Sequence, residues 1–339
     1  SENQNIIVLP GTYAESFTVS KNGITLAGPN GQISPNGGTR VPEAILTGTI
    51  TLGKELQNFE IRGFKFAENA QILNTIGTAG TAAAVKTNLN GFAFSKHLVE
   101  SGLASGKGFI YFVEAPSCYS RDLNFMDNHF TSTLLTTTLE SVVYLDNNAG
   151  IKFVGNTFEN VVLRAIYVND ITKGLAGDSL FENNTFKNVG TDAIWINWLS
   201  PLPSTTATVA ILGNDFETIG GRAIHVGKMN NADTYVAINI QRNVFNGVNT
   251  AMYFVRVSTG ANIHANYNKF VTIPTAFYFQ NATDETTSSP AVLDATKNLF
   301  LSEGVAVTPE AGKMAGSMNI AEAYASLEDY NAAIAALLG

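Results

Sequence analysis

Asn156-Thr157-Phe158 and Asn184-Thr185-Phe186 are two of seven copies of one phrase, Asn-x-Phe, in this chain of 339 residues. The other copies are Asn128-His129-Phe130, Asn214-Asp215-Phe216, Asn243-Val244-Phe245, Asn268-Lys269-Phe270 and Asn298-Leu299-Phe300. The steps from Asn to Asn are 28, 28, 30, 29, 25 and 30 residues. A period of this length, held over so many copies, predicts a stacked-repeat architecture.

The segments upstream of each Asn decide the kind of repeat. They are short, β-branched or aromatic, and they alternate with a period of two, as in Ile166-Tyr167-Val168 and Ile194-Trp195-Ile196. This pattern predicts strands, and no helical pattern fits inside a unit. Two or three short strands per unit, stacked at about 4.8 Å, predict a parallel β-helix. We expect about ten such coils.

The repeated Asn and Phe have a structural explanation. Asn tolerates the left-handed backbone conformation that a tight corner needs, and its amide can bond the identical Asn one coil away. The Phe two residues later is expected to point inside and stack on its copies. We therefore interpret this column as architecture rather than as an active site.

Composition narrows the class of partner. Charged residues make up 14% of the chain, well below the usual share of about 25%. The net charge is −8, the pI is about 5.1, and no run of Lys or Arg occurs, so nucleic acid and anionic membrane are expected to be poor partners. No segment is apolar enough to span a membrane. The single Cys118 cannot form an internal disulfide and is expected to be a buried filler.

The opening stretch carries a family resemblance. It reads VLPGTYAESFTV from Val8 to Val19, followed by GITLAG from Gly23 to Gly28. This stretch is similar to the first coil of pectin methylesterases, which are right-handed parallel β-helix proteins of the pectin-lyase-like superfamily. The later units resemble generic repeats of the same superfamily. The resemblance implies an all-β, single-stranded right-handed parallel β-helix, and because this fold hosts many chemistries it leaves the function open.

The repeat also sets the expected boundaries. Residues 1–312 are predicted to form the β-helix, with the opening strand and first coils in 1–66 and the regular Asn-x-Phe coils in 109–303. Residues 313–339 are predicted to form a C-terminal α-helical cap or a linker, because apolar residues recur at steps of three and four in 319–338. Residues 29–45 are expected to form a long, turn-rich excursion, 67–84 a loop or a loosely patterned coil, and 95–107 a short helical insertion. Gly91-Phe92-Ala93-Phe94 repeats Gly63-Phe64-Lys65-Phe66 at a step of 28, which predicts that the period starts before the Asn column does.

A second column follows from aligning the first strand of each coil. Its flanking aliphatic residues must face the core, so the middle residue faces outward. The predicted outward aromatics are Tyr111, Tyr144, Tyr167, Trp195, His225, Tyr253 and Tyr278. The next outward position holds Val113, Asp146, Asn169, Asn197, Gly227, Val255 and Gln280.

Aromatic rings can stack on sugar rings while amides bond their hydroxyls, so this stripe, with Trp198 beside it, predicts a polysaccharide-binding face. The alternative is that the rings pack only on their vertical neighbours and under loops at 170–178, 198–208, 228–234 and 281–290.

Catalytic groups are harder to find. Asp146, Asp170 and His225 are the candidates, and Asp146 and Asp170 fall in neighbouring coils where they could meet. Other charged residues near the stripe are Glu114, Asp192, Arg164, Arg222, Lys228 and Arg256. The motifs that the resemblance implies for polygalacturonases, methylesterases and calcium-dependent pectate lyases are missing. No His pair has metal-ligand spacing. We expect no cofactor or resident metal, while a structural or catalytic Ca²⁺ stays open.

Three functions remain at this point. The first is a secreted or cell-surface protein that binds polysaccharide along the stripe without cleaving it. The second is a polysaccharide lyase or glycoside hydrolase that uses the same face. The third is a structural or adhesive protein, monomeric or assembling end to end into homo-oligomers. The chain starts at Ser1 without Met, from which we expect a mature or trimmed product whose targeting segment is not in the sequence.

Overall fold

A computed structural model of the protein describes residues 4–81, 86–101, 108–131, 140–171, 178–199, 207–229, 236–255, 262–280, 292–301, 318–319 and 323–338. The first strands in chain order are β1 (Gln4–Ile7), β2 (Gly11–Tyr13), β3 (Phe17–Val19), β4 (Ile24–Ala27), β5 (Ala44–Leu46), β6 (Thr49–Leu52), β7 (Glu60–Arg62), β8 (Lys65–Glu68), β9 (Gln71–Asn74), β10 (Lys86–Asn90), β11 (Ala93–Ser95), β12 (Leu98–Ser101), β13 (Ile110–Phe112), β14 (Cys118–Met126) and β15 (His129–Thr131). They are followed by β16 (Ser141–Val154), β17 (Thr157–Val161), β18 (Arg164–Ile171), β19 (Ser179–Glu182), β20 (Thr185–Val189), β21 (Asp192–Leu199), β22 (Ala207–Leu212), β23 (Asp215–Met229), β24 (Val236–Gln241), β25 (Val244–Val255), β26 (Asn262–His264), β27 (Lys269–Val271), β28 (Thr275–Gln280), β29 (Val292–Asp294), β30 (Leu299–Phe300), β31 (Met318–Asn319) and the helix α1 (Leu327–Leu338).

Every strand pairing between these elements is parallel, and the pairings fall into three ladders that we call the first, second and third sheets. The first sheet runs from β1 through β4, β7, β11, β14 and onward to β29 and β31. The second sheet lies after the Asn column and runs from β2 to β30. The third sheet runs from β3 through β6, β9 and β13 to β28. The predicted all-β parallel β-helix is confirmed, with about eight coils where about ten were expected.

The interior is one continuous apolar core along the whole solenoid. Its most regular part is the column of Phe from the Asn-x-Phe units, all of which face inward as predicted. Successive rings from Phe130 to Phe300 lie 4.6 to 5.2 Å apart between centroids and within 10° of parallel. Each ring therefore covers the face of the next, which is the offset stacking that aromatic side chains favour.

The Asn column is a buried ladder of amides. Each Nδ2 group donates to the Oδ1 atom of the Asn in the next coil, at 2.8 to 3.2 Å, over six consecutive pairs from Asn128 to Asn298. The second Nδ2 hydrogen goes to a backbone carbonyl of the preceding coil, such as Phe153 O for Asn184. The Oδ1 atom also accepts a backbone N–H, such as that of Asn156 for Asn184. All four hydrogen-bonding positions of the amide are used.

The left-handed corner residue is not the column Asn, which corrects the prediction. The positive φ angle belongs to the residue before each Asn, and it is 53° at Asn183 and 66° at Gly155. A second left-handed position follows four residues after the column, at Asn160 and Asn188 among others. The column Asn is therefore selected by its hydrogen-bonding capacity and not by its backbone conformation.

His97 is an additional member of this column that the repeat did not reveal. Its Nδ1 atom accepts the N–H of Phe64 at 3.1 Å, and its Nε2 atom lies 3.0 Å from the carbonyl of Ile61. Its own N–H donates to Oδ1 of Asn128, as a column Asn would. Because Nδ1 accepts a hydrogen bond, the proton must be on Nε2, and the ring is neutral. Complete burial lowers the pKa of His97 from 6.5 to about 3.

The coils before Asn128 differ from the sequence predictions in one place. The helical insertion predicted at 95–107 is wrong for residues 98–101, which form β12 and pair with β8 and β15; residues 102–107 lie outside the described part. Segment 67–84, for which a loop or a loosely patterned coil was expected, contains β9, which pairs with β6 and β13. The stacked coils begin before the Asn column, as predicted, but the two Gly-Phe-x-Phe segments are not in register, because Phe94 pairs with Ile61 and Phe66 with Val99. The excursion between β4 and β5 is confirmed, and its Asn36 donates to Gly155 O across the Asn corners.

The C-terminal helix is confirmed but is shorter than predicted. It begins at Leu327, while Met318 and Asn319 form a strand paired with β29. Tyr330 is its single buried residue, and the Tyr330 hydroxyl donates to Tyr267 O at 2.8 Å. The backbone N–H of Tyr324 donates to Asn298 O, the last carbonyl of the Asn column. The chain after the coils is thus attached at the Asn corner of the last coils.

Replacing Asn184 with Ala tests the amide ladder. The change removes the acceptor of the Asn156 N–H and Nδ2 groups and the Nδ2 donor to Phe153 O and Asn214 Oδ1, so we expect the free energy of unfolding to fall by about 3 kcal/mol or more. Denaturant unfolding measures this loss. Asn124→Ala is the matched control, because Asn124 makes one local bond to Asp122 O, and we expect a loss below about 1 kcal/mol. Equal losses in the two variants would contradict the role of the ladder.

Replacing His97 with Asn tests the assignment of a neutral ring. In the unfolded chain His97 binds a proton below pH 6.5, whereas in the folded chain it does so only below about pH 3. The free energy of unfolding should therefore fall as pH drops through this window, by up to about 1.4 kcal/mol per pH unit. In His97→Asn this contribution disappears, while Asn retains the ladder bonds.

The comparison between wild type and His97→Asn at pH 4 to 6.5 isolates this effect. Burial raises the pKa of Glu114 to about 7, so its contribution has the opposite sign, with stability lost as pH rises above 4.5. It is present in both proteins and cancels in the difference. Identical pH slopes of stability for the two proteins would show that His97 is not held neutral.

Candidate functional site

The third sheet places the seven predicted outward aromatics in one column. The backbone register joins Tyr111 to Tyr144 and continues without a gap to Tyr278. Six of the side chains are half-buried, and His225 is 5% exposed. The same register extends the column backwards to Leu73, Thr51 and Thr18, which the repeat did not identify because those units lack the aromatic.

The rings of this column pack mainly on each other. They form three stacked pairs, with centroid separations of 5.0, 4.5 and 4.8 Å: Tyr144–Tyr167, Trp195–His225 and Tyr253–Tyr278. The guanidinium of Arg164 lies 4.4 Å from the centroid of the Trp195 ring, and that of Arg222 lies 4.3 Å from the Tyr253 ring. Ring faces in the column are therefore largely covered by neighbouring side chains, which leaves ring edges and hydroxyl groups to meet a ligand.

Polar side chains form a connected row beside the aromatics. Asn169 Nδ2 donates to Asp146 Oδ1 at 2.7 Å, and Asn197 Nδ2 donates to Asn169 Oδ1 at 3.0 Å. The Tyr167 hydroxyl also donates to Asn169 Oδ1. The row is interrupted at Gly227, where a Cβ atom would lie 2.2 Å from Asn197 O. The outer face thus holds a preorganised line of amide and carboxylate groups three coils long.

A charged cluster lies three residues before the aromatics. Asp192, 4% exposed, has Arg164 Nε at 3.8 Å and Arg222 Nη1 at 3.5 Å from its carboxylate oxygens. The register aligns Ser141, Arg164, Asp192 and Arg222 on successive strands. The sequence analysis named these charged residues but did not connect them. Aligning the residues three positions before each aromatic would have shown Arg, Asp and Arg in successive coils. The buried carboxylate is balanced by two partly exposed guanidinium groups.

His225 belongs to this cluster as a neutral side chain. Arg222 Nη1 lies 3.2 Å from His225 Nδ1, and because Arg can only donate, that nitrogen accepts. Burial lowers the pKa of His225, against the opposing influence of Asp192. The contact of 3.7 Å between His225 Nδ1 and Asp192 Oδ1 is therefore not an ion pair at neutral pH. His225 is therefore one of the stacked rings of the aromatic column, and it is not a charged imidazolium that could donate a proton there.

The three catalytic candidates do not form a constellation. Asp146 and His225 are separated by three strand spacings, which is about 14 Å. Asp170 lies outside the outward row, since its register partner is Asn147, and it is 4% exposed. Asp146 accepts hydrogen bonds from Asn169 Nδ2 and from the Glu114 N–H. The carboxyl group nearest His225 is that of Asp192.

Trp198 is an exposed aromatic on β21, three residues after Trp195. Its side chain is 40% exposed, and its register partners are Asp170 and Lys228 on the flanking strands, so it lies one position beyond the outward row that ends at Asn197. Most residues of the four long loops proposed to wall or cover the stripe, and Arg256, lie outside the described residues. Trp198 is therefore more exposed than the half-buried rings of the stacked column.

A buried polar cluster lies beside the first coils of the stripe. The Glu114 carboxylate accepts from Ser120 Oγ at 2.5 Å and from Asn74 and Asn88 at about 3.0 Å. Cys118 is 1% exposed, as expected of a filler, and burial raises the pKa of its thiol to about 11. Within the described ranges, no group of three or more His, Cys, Asp or Glu side chains is arranged to hold a metal ion.

Comparison with protein-family models, curated proteins and solved structures finds no match to this chain. None of the described helices is long and apolar enough to cross a membrane. The parallel β-helix and the composition of its third-sheet face therefore carry the functional argument.

Replacing Asp192 with Asn tests the charged cluster. Two guanidinium groups lose their counter-charge, and because Arg164 and Arg222 are 27% and 36% exposed, solvent screening limits the expected loss of stability to about 1–2 kcal/mol. Thermal unfolding measures this loss, and Trp195 fluorescence should change as Arg164 shifts. Asp178→Asn, at an exposed position, is the control and should change neither quantity. If neither the stability nor the Trp195 fluorescence changes in Asp192→Asn, Asp192 does not hold the charged cluster together.

Proposed function

We propose that this protein binds a polysaccharide chain along the outer face of the third sheet without cleaving it. The observation that carries the proposal is the linear row of Asp146, Asn169 and Asn197, held by mutual hydrogen bonds beside the aromatic column. Amide and carboxylate groups bond sugar hydroxyls, and groups already held in place lose little entropy on binding.

The aromatic column and the polar row both run along the axis of the solenoid, which suits an extended ligand. Coils repeat at about 4.8 Å, so equivalent groups recur at short, regular steps along the face. The face carries charges of both signs: Arg164 and Arg222 lie around Asp192 on one side of the aromatic column, and Asp146 lies in the polar row on the other side. Such a face favours a hydroxyl-rich chain over a strongly charged polymer.

Trp198 supplies the stacking element of the proposal. The column rings are covered by each other and by arginines, whereas Trp198 is 40% exposed. A sugar ring can lie on the indole while its hydroxyl groups reach the amide row. The resemblance of the opening stretch to pectin-lyase-like β-helices, which hold substrates along an outer sheet face, supports this placement. The proposal includes a location outside the cell or on its surface, where such chains are met.

Trp198→Ala is the decisive variant. Wild-type protein is titrated with a panel of plant, algal and host polysaccharides by calorimetry and intrinsic fluorescence. We expect saturable binding to one glycan class, weakened about tenfold in Trp198→Ala through loss of about 1.4 kcal/mol of contact. Asn169→Ala should weaken binding similarly by interrupting the polar row.

Met126→Ala is the matched control, because Met126 is 41% exposed on β14 and should leave affinity unchanged. No binding across the panel, or binding unaffected by Trp198→Ala and Asn169→Ala, would refute the proposal. Release of new reducing ends or of unsaturated uronate products from any glycan would replace it with a hydrolase or lyase.

A further inference from the structure

The two ends of the solenoid differ in how their strand edges are used. At the start, β1 pairs with β4, β2 with β5 and β3 with β6. In the described part of the chain, no strand lies on the other edges of Asn5–Ile7, β2 and β3. Edges of this kind are templates for pairing with another chain.

The same end exposes apolar side chains. Ile6, Ile7, Leu9 and Phe17 are 46%, 73%, 70% and 37% exposed. A hollow of about 300 Å³ opens there into the core and is lined in part by Ile6, Phe17, Ile24 and Phe59. The interior that is sealed elsewhere is therefore accessible at the first coil.

Little charge lies at this edge, because β1, β2 and β3 contain no charged residue and Lys21 is the one charged residue that lines the hollow. Between residues 4 and 20, Glu15 is the only charged residue, and the strand segment Gln4–Ile7 reads QNII. Edge strands of monomeric proteins commonly carry Lys or inward-pointing charges that prevent pairing. An uncharged edge can meet its own copy without like-charge repulsion.

The opposite end already holds strands of its own chain. β29 is paired with β31, and Leu299 of β30 bridges to Tyr324. A second copy stacked head to tail would have to displace these segments. Association through two copies of the first coil meets no such obstacle.

We propose that two copies of this chain form a closed dimer through their first coils, with β1 of one copy antiparallel to β1 of the other. A two-fold axis perpendicular to the solenoid reverses strand direction, so the pairing is antiparallel although every internal pairing is parallel. Ile6 and Phe17 of each copy then cover the hollow of the other. The third-sheet face stays accessible, so this dimer and the polysaccharide proposal stand or fall separately.

Sedimentation velocity with multi-angle light scattering tests the dimer. We expect wild-type protein to show twice the chain mass at micromolar concentration and Ile6→Lys to show the chain mass. Leu337→Lys is the matched control, because Leu337 is 49% exposed at the other end of the molecule, and it should remain dimeric. A wild-type protein that stays monomeric to about 100 µM, or a dimer broken by Leu337→Lys and not by Ile6→Lys, overturns the proposal.

Single cysteines at Asn5, Ile6 and Ile7 give a second test that does not depend on the folding of Ile6→Lys. Antiparallel pairing about a two-fold axis brings one of these positions close to its own copy, within reach of a disulfide. We expect at least one of Asn5→Cys, Ile6→Cys and Ile7→Cys to form a cross-linked dimer on oxidation. Cys118 is 1% exposed and should not interfere, and Leu337→Cys should stay unlinked. Absence of cross-linking in all three variants excludes the first-coil interface.

Discussion

Each regular coil of this protein turns its corner over a buried Asn amide whose hydrogen bonds go to the neighbouring column Asn residues and to one backbone carbonyl of the coil before it. The amide holds the backbone of the coil before it, bonds its own copy in the coil after it, and leaves no polar atom for water to satisfy. Because an unpaired buried amide is costly, the corners cannot shift relative to one another without breaking several bonds at once. From Asn128 to Asn298 this constraint keeps successive corners in line.

The outer face of the third sheet inherits that alignment. Aromatics 23 to 33 residues apart in sequence become neighbours at ring-stacking distance because the corners hold each coil in position. Once stacked, the rings cover one another, and the proposed ligand contacts are therefore made by the polar row beside them and by exposed Trp198. His97 shows how specific the corner requirement is. An imidazole fits there only as the neutral Nε2–H tautomer, which donates and accepts where an amide would.

A solenoid has contacts only between adjacent coils, so its ends are the places where unsatisfied edges collect. In this chain the two ends are treated differently. The last coils are covered by β31 and by the segment that carries Tyr324 and Tyr330, while the first coil keeps uncharged strand edges and an opening into the core. The first coil is therefore the end at which we propose assembly. The proposed dimer does not use the long faces of the solenoid.

The sequence by itself determined the parallel β-helix, the inward Phe column and the membership of the outward aromatic column. These depend on residue type at a regular period, and a period is visible in one dimension. It did not determine the register of the coils before Asn128, because His97 replaces Asn there and the two Gly-Phe-x-Phe segments, although 28 residues apart, do not pair with each other.

Only the tertiary structure decided which ring faces are covered, which aromatic is exposed, and that Asp192 joins Arg164, Arg222 and His225. The physical reason is that the links between strands vary in length. Which charges meet across coils, and what solvent reaches, depends on three-dimensional register and packing that no local pattern records.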